Sequence, residues 1–178
     1  MLLLLLSADR APLWVTFDVL NPRTLGGHRI LHLQDVVGPR ARDDVPGLVR
    51  PRAVLIFSAT LDQCEKGTLC QAAQQLAEIK GGLVVGVVLA ERENAAQAKR
   101  EIPRFEYSFP LTVDSFGVLA QALKLDRPGV FLVVNSIGEI VRLVPPTEGT
   151  DRSVQERFLL EVKETFLDAL RRDDEEDR

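Results

Sequence analysis

The sequence predicts one α/β domain in which helices flank a mixed central sheet, with a β-hairpin added at the N-terminus. Three observations carry this. Continuous apolar runs at 53–57, 83–89 and 129–135 read as strands covered on both faces. Between and after them, apolar residues recur at helical spacing, as in Leu69, Ala72, Ala73, Leu76 and Ile79. Strand–helix alternation makes the early pairs parallel, whereas Ser136-Ile137-Gly138 is a tight turn that makes the last pair a hairpin.

The elements follow in order. Residues 13–20 and 28–33 read as short strands, with Asn21-Pro22 and Gly26-Gly27 supplying the turn between them. His28 and His32 are spaced to share one face of the second of these strands. Residues 38–52 hold three prolines and two glycines among Arg and Asp, and read as a surface loop. The 53–57 strand leads into the 69–79 helix, which Gly81-Gly82 stops. After the 83–89 strand, residues 92–101 form a polar helix ended by Pro103. A short strand at 109–113, a short helix at 116–123 and the 129–135 strand follow. Residues 139–144 pair back on the last of these. Val154, Phe158, Leu159, Val162, Phe166 and Leu170 then draw the apolar stripe of a long closing helix.

Length and composition bound what the chain does. At 178 residues, 46% apolar and 27% charged, it suits a single globular domain, placed at 1–172 with a frayed acidic tail at 173–178. The formal charge is 22 − 26 = −4, and the tail alone carries five acids and one base. The remainder is near neutral, which argues against nucleic acid as a partner. Two cysteines and two histidines lack the ligand spacing of a zinc site, so no metal or other cofactor is expected. Leu2 to Leu6 are too few for a secretory or membrane-spanning segment, so no integral span is expected. The run reads as an added strand, or as the stub of a longer anchor. A cytoplasmic location is favoured, with a tethered or exported form left open. The leucines and the last helix offer apolar surface to a protein partner or a homodimer, although core packing explains both equally well.

Two stretches bear on chemistry. Residues 127–141 read Arg127-Pro128-Gly129-Val130-Phe131-Leu132-Val133-Val134-Asn135-Ser136-Ile137-Gly138-Glu139-Ile140-Val141, and residues 57–69 read Phe57-Ser58-Ala59-Thr60-Leu61-Asp62-Gln63-Cys64-Glu65-Lys66-Gly67-Thr68-Leu69. With the element order, these resemble the redoxin branch of the thioredoxin superfamily, which comprises thioredoxin-like thiol oxidoreductases and peroxiredoxin-like proteins. The resemblance covers residues 12–170. The family carries Pro-x-x-Phe-Leu-Ile-Asp-x-x-Gly-x-Ile-Val at the first stretch, with one residue inserted here, and the resemblance implies a cis Pro128 facing the active site. At the second the family carries Phe-Trp-Ala-Thr-Trp-Cys-x-x-Cys-Arg-x-x-Leu. Aligned without gaps, Asp62 and Glu65 take the two cysteine positions, with Cys64 between them. A slip of one residue makes Cys64 the second cysteine and Leu61 the first. In both frames the Cys-x-x-Cys pair is missing. The peroxiredoxin threonine, three residues before the cysteine, is also replaced, by Leu61 for Cys64 and by Gly67 for Cys70.

On a continuous helix Cys64 and Cys70 are separated by a rise of about 9 Å, beyond disulfide reach. Cys70 is therefore expected as a buried, unbridged thiol. The alternative is a break at Gly67, with Thr68-Leu69-Cys70-Gln71 as a capping box, which lets Cys64 approach Cys70. Asp62 and Glu65 are expected to cap the helix and to hold back ionisation of Cys64 unless Arg127 offsets them. The resemblance thus implies a thioredoxin-like binding module that is non-catalytic or weakly redox-active. The alternative is a thiol-dependent oxidoreductase or one-cysteine peroxidase using Cys64.

Overall fold

The computed structural model describes residues 9–43, 49–147 and 151–176, with side chains described as far as Arg172. In chain order the strands are β1 (Thr16–Asp18), β2 (Ile30–His32), β3 (Ala53–Ala59), β4 (Gly82–Leu89), β5 (Leu111–Asp114), β6 (Phe131–Asn135) and β7 (Ile140–Val144). The α-helices are α1 (Leu33–Val36), α2 (Leu61–Glu65), α3 (Thr68–Ala77), α4 (Arg92–Glu101), α5 (Val118–Leu123) and α6 (Arg152–Glu176).

β3 is the middle of a five-stranded sheet ordered β5-β4-β3-β6-β7, and all seven of its residues are buried. It pairs parallel with β4, which pairs parallel with β5; β6 is antiparallel to both β3 and β7. The sheet is mixed, as expected, because a helix must cross over between parallel strands whereas the 136–138 turn does not. Side chains of β3 alternate between two cores. Leu55, Phe57 and Ala59 face a cluster with Cys64, Cys70, Leu76, Phe158, Val162 and Phe166. Val54 and Ile56 face the other, with Phe17, Leu31, Leu33, Val36, Leu123 and Leu125. α3 and α6 therefore cover one face, and the N-terminal hairpin with α1 and α5 covers the other.

The hairpin strands are shorter than expected. His28 falls outside β2, so the two histidines do not share a strand, and both are exposed. The chain turns into α1 at Leu33, whose side chain is drawn into the core. Asn21, expected as a turn residue, is buried. Its side chain donates to the Phe109 carbonyl at 2.8 Å and accepts from the Leu111 amide at 2.7 Å, which fastens the hairpin to β5. The backbone of α6 continues through Glu176, into the stretch expected to fray. The leucine run and part of the 38–52 loop lie outside the described residues. Among the described residues no helix is long and apolar enough to cross a membrane.

Candidate functional site

The site is built where β3 ends. Ser58 is fully buried, and its hydroxyl donates to the Arg127 carbonyl at 2.6 Å and accepts from the Val130 amide at 3.1 Å. The Gly129 amide bonds the Ser58 carbonyl at 2.8 Å. The 127–130 segment is thereby held against the strand three residues before Leu61. Pro128 stands beside this junction, but its peptide bond is trans, not cis as expected. The segment is aligned by Ser58 and by strand pairing of β6 with β3, neither of which needs a cis bond. Arg127 is exposed, and no hydrogen bond or ion pair joins it to Asp62, Cys64 or Glu65 among the described residues.

Thr60 then starts α2 with a capping box. The Gln63 amide donates to the Thr60 hydroxyl at 3.2 Å, and the Thr60 amide donates to the Gln63 side-chain carbonyl at 2.9 Å. The acids therefore do not cap the helix. Asp62 lies in its first turn, where the helix dipole favours a carboxylate, and pairs with Lys66 at 3.8 Å with both side chains exposed. Glu65 lies in the last turn, exposed. Leu61 packs partly buried against the core cluster.

α2 stops after Glu65 and α3 begins at Thr68 with Gly67 as its N-cap. The chain bends sharply there: a β-carbon on Gly67 would lie 2.8 Å from both Cα and O of Gln63. This bend brings the Cys64 and Cys70 Cα atoms to 4.9 Å, and the two sulfurs form a disulfide. The expectation of an unbridged Cys70 and a free Cys64 is thus corrected. The rise of a single continuous helix does not apply, because two short helices meet at a glycine. The alternative of a break at Gly67 is what the structure has, with α3 starting at Thr68, but Gly67 takes the cap position and Thr68 makes no capping bond. The bridge is buried, with Cys64 exposed by 1% and Cys70 by 0%.

Tyr107 completes the site. Its hydroxyl donates to the Cys64 carbonyl at 2.6 Å, from a segment 43 residues away. Its ring stacks on Phe109 and meets Phe105 edge-on. Burial pushes the phenol above its ordinary pKa of 10.0, so it stays a protonated donor at neutral pH. Sequence reasoning passed over Thr60, Gln63, Ser58 and Tyr107. The Thr-x-x-Gln signal at 60–63 was open to reading; the contacts of Ser58 and Tyr107 left no local trace.

No protein-family profile matches the sequence. No curated protein matches it either. Solved structures do match. The pneumococcal exposed lipoprotein thioredoxin Etrx1 from Streptococcus pneumoniae is similar at 15% identity and a TM-score of 0.55, over 83% of this chain and 98% of that one. MTB dsbF, solved in mixed oxidized and reduced forms, is similar at 15% identity and 0.53, over 86% and 98%. A secreted Mycobacterium tuberculosis disulfide oxidoreductase homologous to E. coli DsbE is similar at 13% identity and 0.51, over 84% and 96%. Together with the sheet order and the helices on both faces, these likenesses establish that the chain has a thioredoxin-like fold, with a small N-terminal hairpin added.

Proposed function

We propose that this chain is a thiol–disulfide redox protein that works through the Cys64–Cys70 pair on the cysteines of a partner protein. The observation that carries the reading is the bridge, which closes directly after the central strand, on the two helices that follow it. The family resembled keeps its reactive cysteines in this region, and the solved structures of similar fold include proteins described as disulfide oxidoreductases. In the exchange, a partner thiolate attacks one sulfur of the bridge and forms a mixed disulfide. The partner's second thiolate then displaces the chain's cysteine. The partner's two thiols leave as a disulfide, and Cys64 and Cys70 take up the two protons as thiols. The earlier alternative, Cys64 acting alone, gives way to the pair.

A second reading is favoured by burial. Sulfurs this enclosed suit a structural cross-link in a non-catalytic binding module. Incubation of the bridged protein with a dithiol peptide separates the two. The redox reading expects stoichiometric oxidation of the peptide, abolished in Cys64→Ser and in Cys70→Ser. A bridge that stays closed in the native protein, yet is reduced once denaturant is added, would overturn it in favour of the cross-link.

A further inference from the structure

Helix α2 is five residues long, so the carbonyls of its last turn have no partner inside it. Continuation into α3 would satisfy the Cys64 carbonyl through the Thr68 amide, but the bend at Gly67 prevents this. Tyr107 fills the vacancy from across the fold, at 2.6 Å. At the other end the capping box is internal to α2, joining Thr60 to Gln63. Between these two points Asp62 and Glu65 are exposed and only Cys64 is buried. α2 is thus a short flap that carries Cys64 of the bridge, and Tyr107 bonds its C-terminal turn from outside the helix.

We propose that Tyr107 is the latch of this flap: its hydroxyl holds the C-terminal turn of α2 closed at the Cys64–Cys70 disulfide, and thiols reach the bridge when that hydrogen bond breaks. The Tyr107 hydroxyl bonds the backbone carbonyl of Cys64, so Tyr107 is a positioning residue and not a catalytic one. The latch lies close to solvent. Tyr107 is half-buried and lines a groove of about 930 Å³ between the hairpin, at Asp18 and Arg23, and the 103–107 segment. Because Cys64 is tied to Cys70 and Leu61 packs on the core, opening is a loosening of the C-terminal turn of α2 and not a swing of the whole helix. The proposal rests on the redox reading for its purpose, since a partner thiol must reach the bridge, but its test does not depend on any partner.

The test is the rate at which dithiothreitol reduces the bridge in the native, full-length protein. A dithiothreitol thiolate attacks one sulfur, its second thiolate closes the ring, and Cys64 and Cys70 are released as two thiols. Tyr107→Phe keeps the ring and its stacking and deletes the hydrogen bond. Loss of one such bond is expected to accelerate reduction about 2- to 12-fold. The amides of Cys64 and Lys66, bonded within α2, should exchange with deuterium faster by the same factor, while those of α3 keep their wild-type rate. Leu125→Val, on the opposite face of the sheet, controls for general loss of stability and should leave the reduction rate unchanged. Because Tyr107 is the one tyrosine of the chain, biosynthetic replacement by a polyfluorinated tyrosine is confined to this residue, makes its phenol more acidic, and keeps the test open if Tyr107→Phe folds poorly. The reduction rate relative to unlabelled protein should then climb with pH as the fluorinated phenol ionises and stops donating. Reduction of Tyr107→Phe at the wild-type rate, equal acceleration in Leu125→Val, or a flat pH ratio in the fluorinated protein would each overturn the latch. An accelerated Tyr107→Phe that never oxidises a dithiol peptide would sustain the latch and defeat the redox reading; the reverse pattern would do the opposite.

Discussion

Gly67→Ala tests whether the bend between α2 and α3 is what makes the bridge. Gly67 sits at φ −90°, a conformation open to any residue, so the obstacle to a side chain is contact and not backbone strain. A β-carbon there falls 2.8 Å from Cα and O of Gln63. Carbon atoms rest about 3.5–4.0 Å apart, so the bend must open by roughly 0.7 Å or more. Both atoms struck belong to the backbone of α2 and cannot rotate aside, so the whole helix has to tilt away from α3. The bridge opposes that tilt, because it ties the two helices together at Cys64 and Cys70. The oxidised protein should therefore lose about 1–3 kcal/mol, the usual cost of overpacking. For a chain of this size its Tm should fall by roughly 2–12 °C. The reduced protein, free to splay the helices, should lose less. The cycle linking the four species then requires the bridge to become easier to reduce, by about tenfold in the equilibrium with glutathione for each 1.4 kcal/mol of difference. Denaturant melts of both variants in both redox states, with glutathione equilibration, close the cycle. Equal loss in the two redox states, with the glutathione equilibrium unmoved, would refute the argument.

Three further outcomes follow from the same geometry. Tyr107, as the sole tyrosine, reports its own titration by phenolate absorbance, and its midpoint should lie above 10. The unfolded chain releases this proton first, so the stability it contributes is complete below pH 10 and lost as pH rises through the folded value. Tyr107→Phe should lack that part of the alkaline decline, and a midpoint at or below 10 contradicts the burial argument. Thr60→Ala removes half of the α2 capping box and should cost about 0.5–2 kcal/mol in denaturant melts, with faster exchange of the Gln63 amide; a neutral result would mean that α2 is held elsewhere. Asn21→Leu leaves the Phe109 carbonyl and the Leu111 amide unpaired, at about 1–3 kcal/mol each, and should show that loss in denaturant melts; a neutral result would mean that the hairpin is fastened elsewhere.

The strands of the central sheet were legible because burial on both faces writes continuous Val, Leu, Ile and Phe runs, and β3, β4 and β6 fall close to where those runs stand. The closing helix was legible from its stripe, since Phe158, Val162 and Phe166 do face the core. The site was legible in place but not in form. Measuring the cysteines along one helix gave too long a span, because two helices share that stretch and Gly67 divides them. The family pattern directed attention to the acids at 62 and 65, yet both point to solvent, and the cap comes from Thr60 and Gln63. Tyr107 could not be read at all. Its partner is a backbone carbonyl 43 residues away, and a carbonyl is the same in every residue.

The N-terminal segment also guards the rims of the sheet. β5 and β7 are its two outer strands, and an outer strand with unpaired backbone groups invites pairing with another molecule. At one rim the Leu20 amide and the Asn21 side chain occupy the carbonyl and amide of Leu111. At the other, the Ala11 amide bonds the Gly138 carbonyl and the Ile140 amide bonds the Asp9 carbonyl, at the start of β7. One stretch of chain, from Asp9 to Asn21, thus pins both margins of the sheet. Cutting it away would strip Ala11, Val15, Phe17 and Val19 from the core on one face and bare both margins at once, so the trimmed protein should lose stability and pair through its exposed edges together.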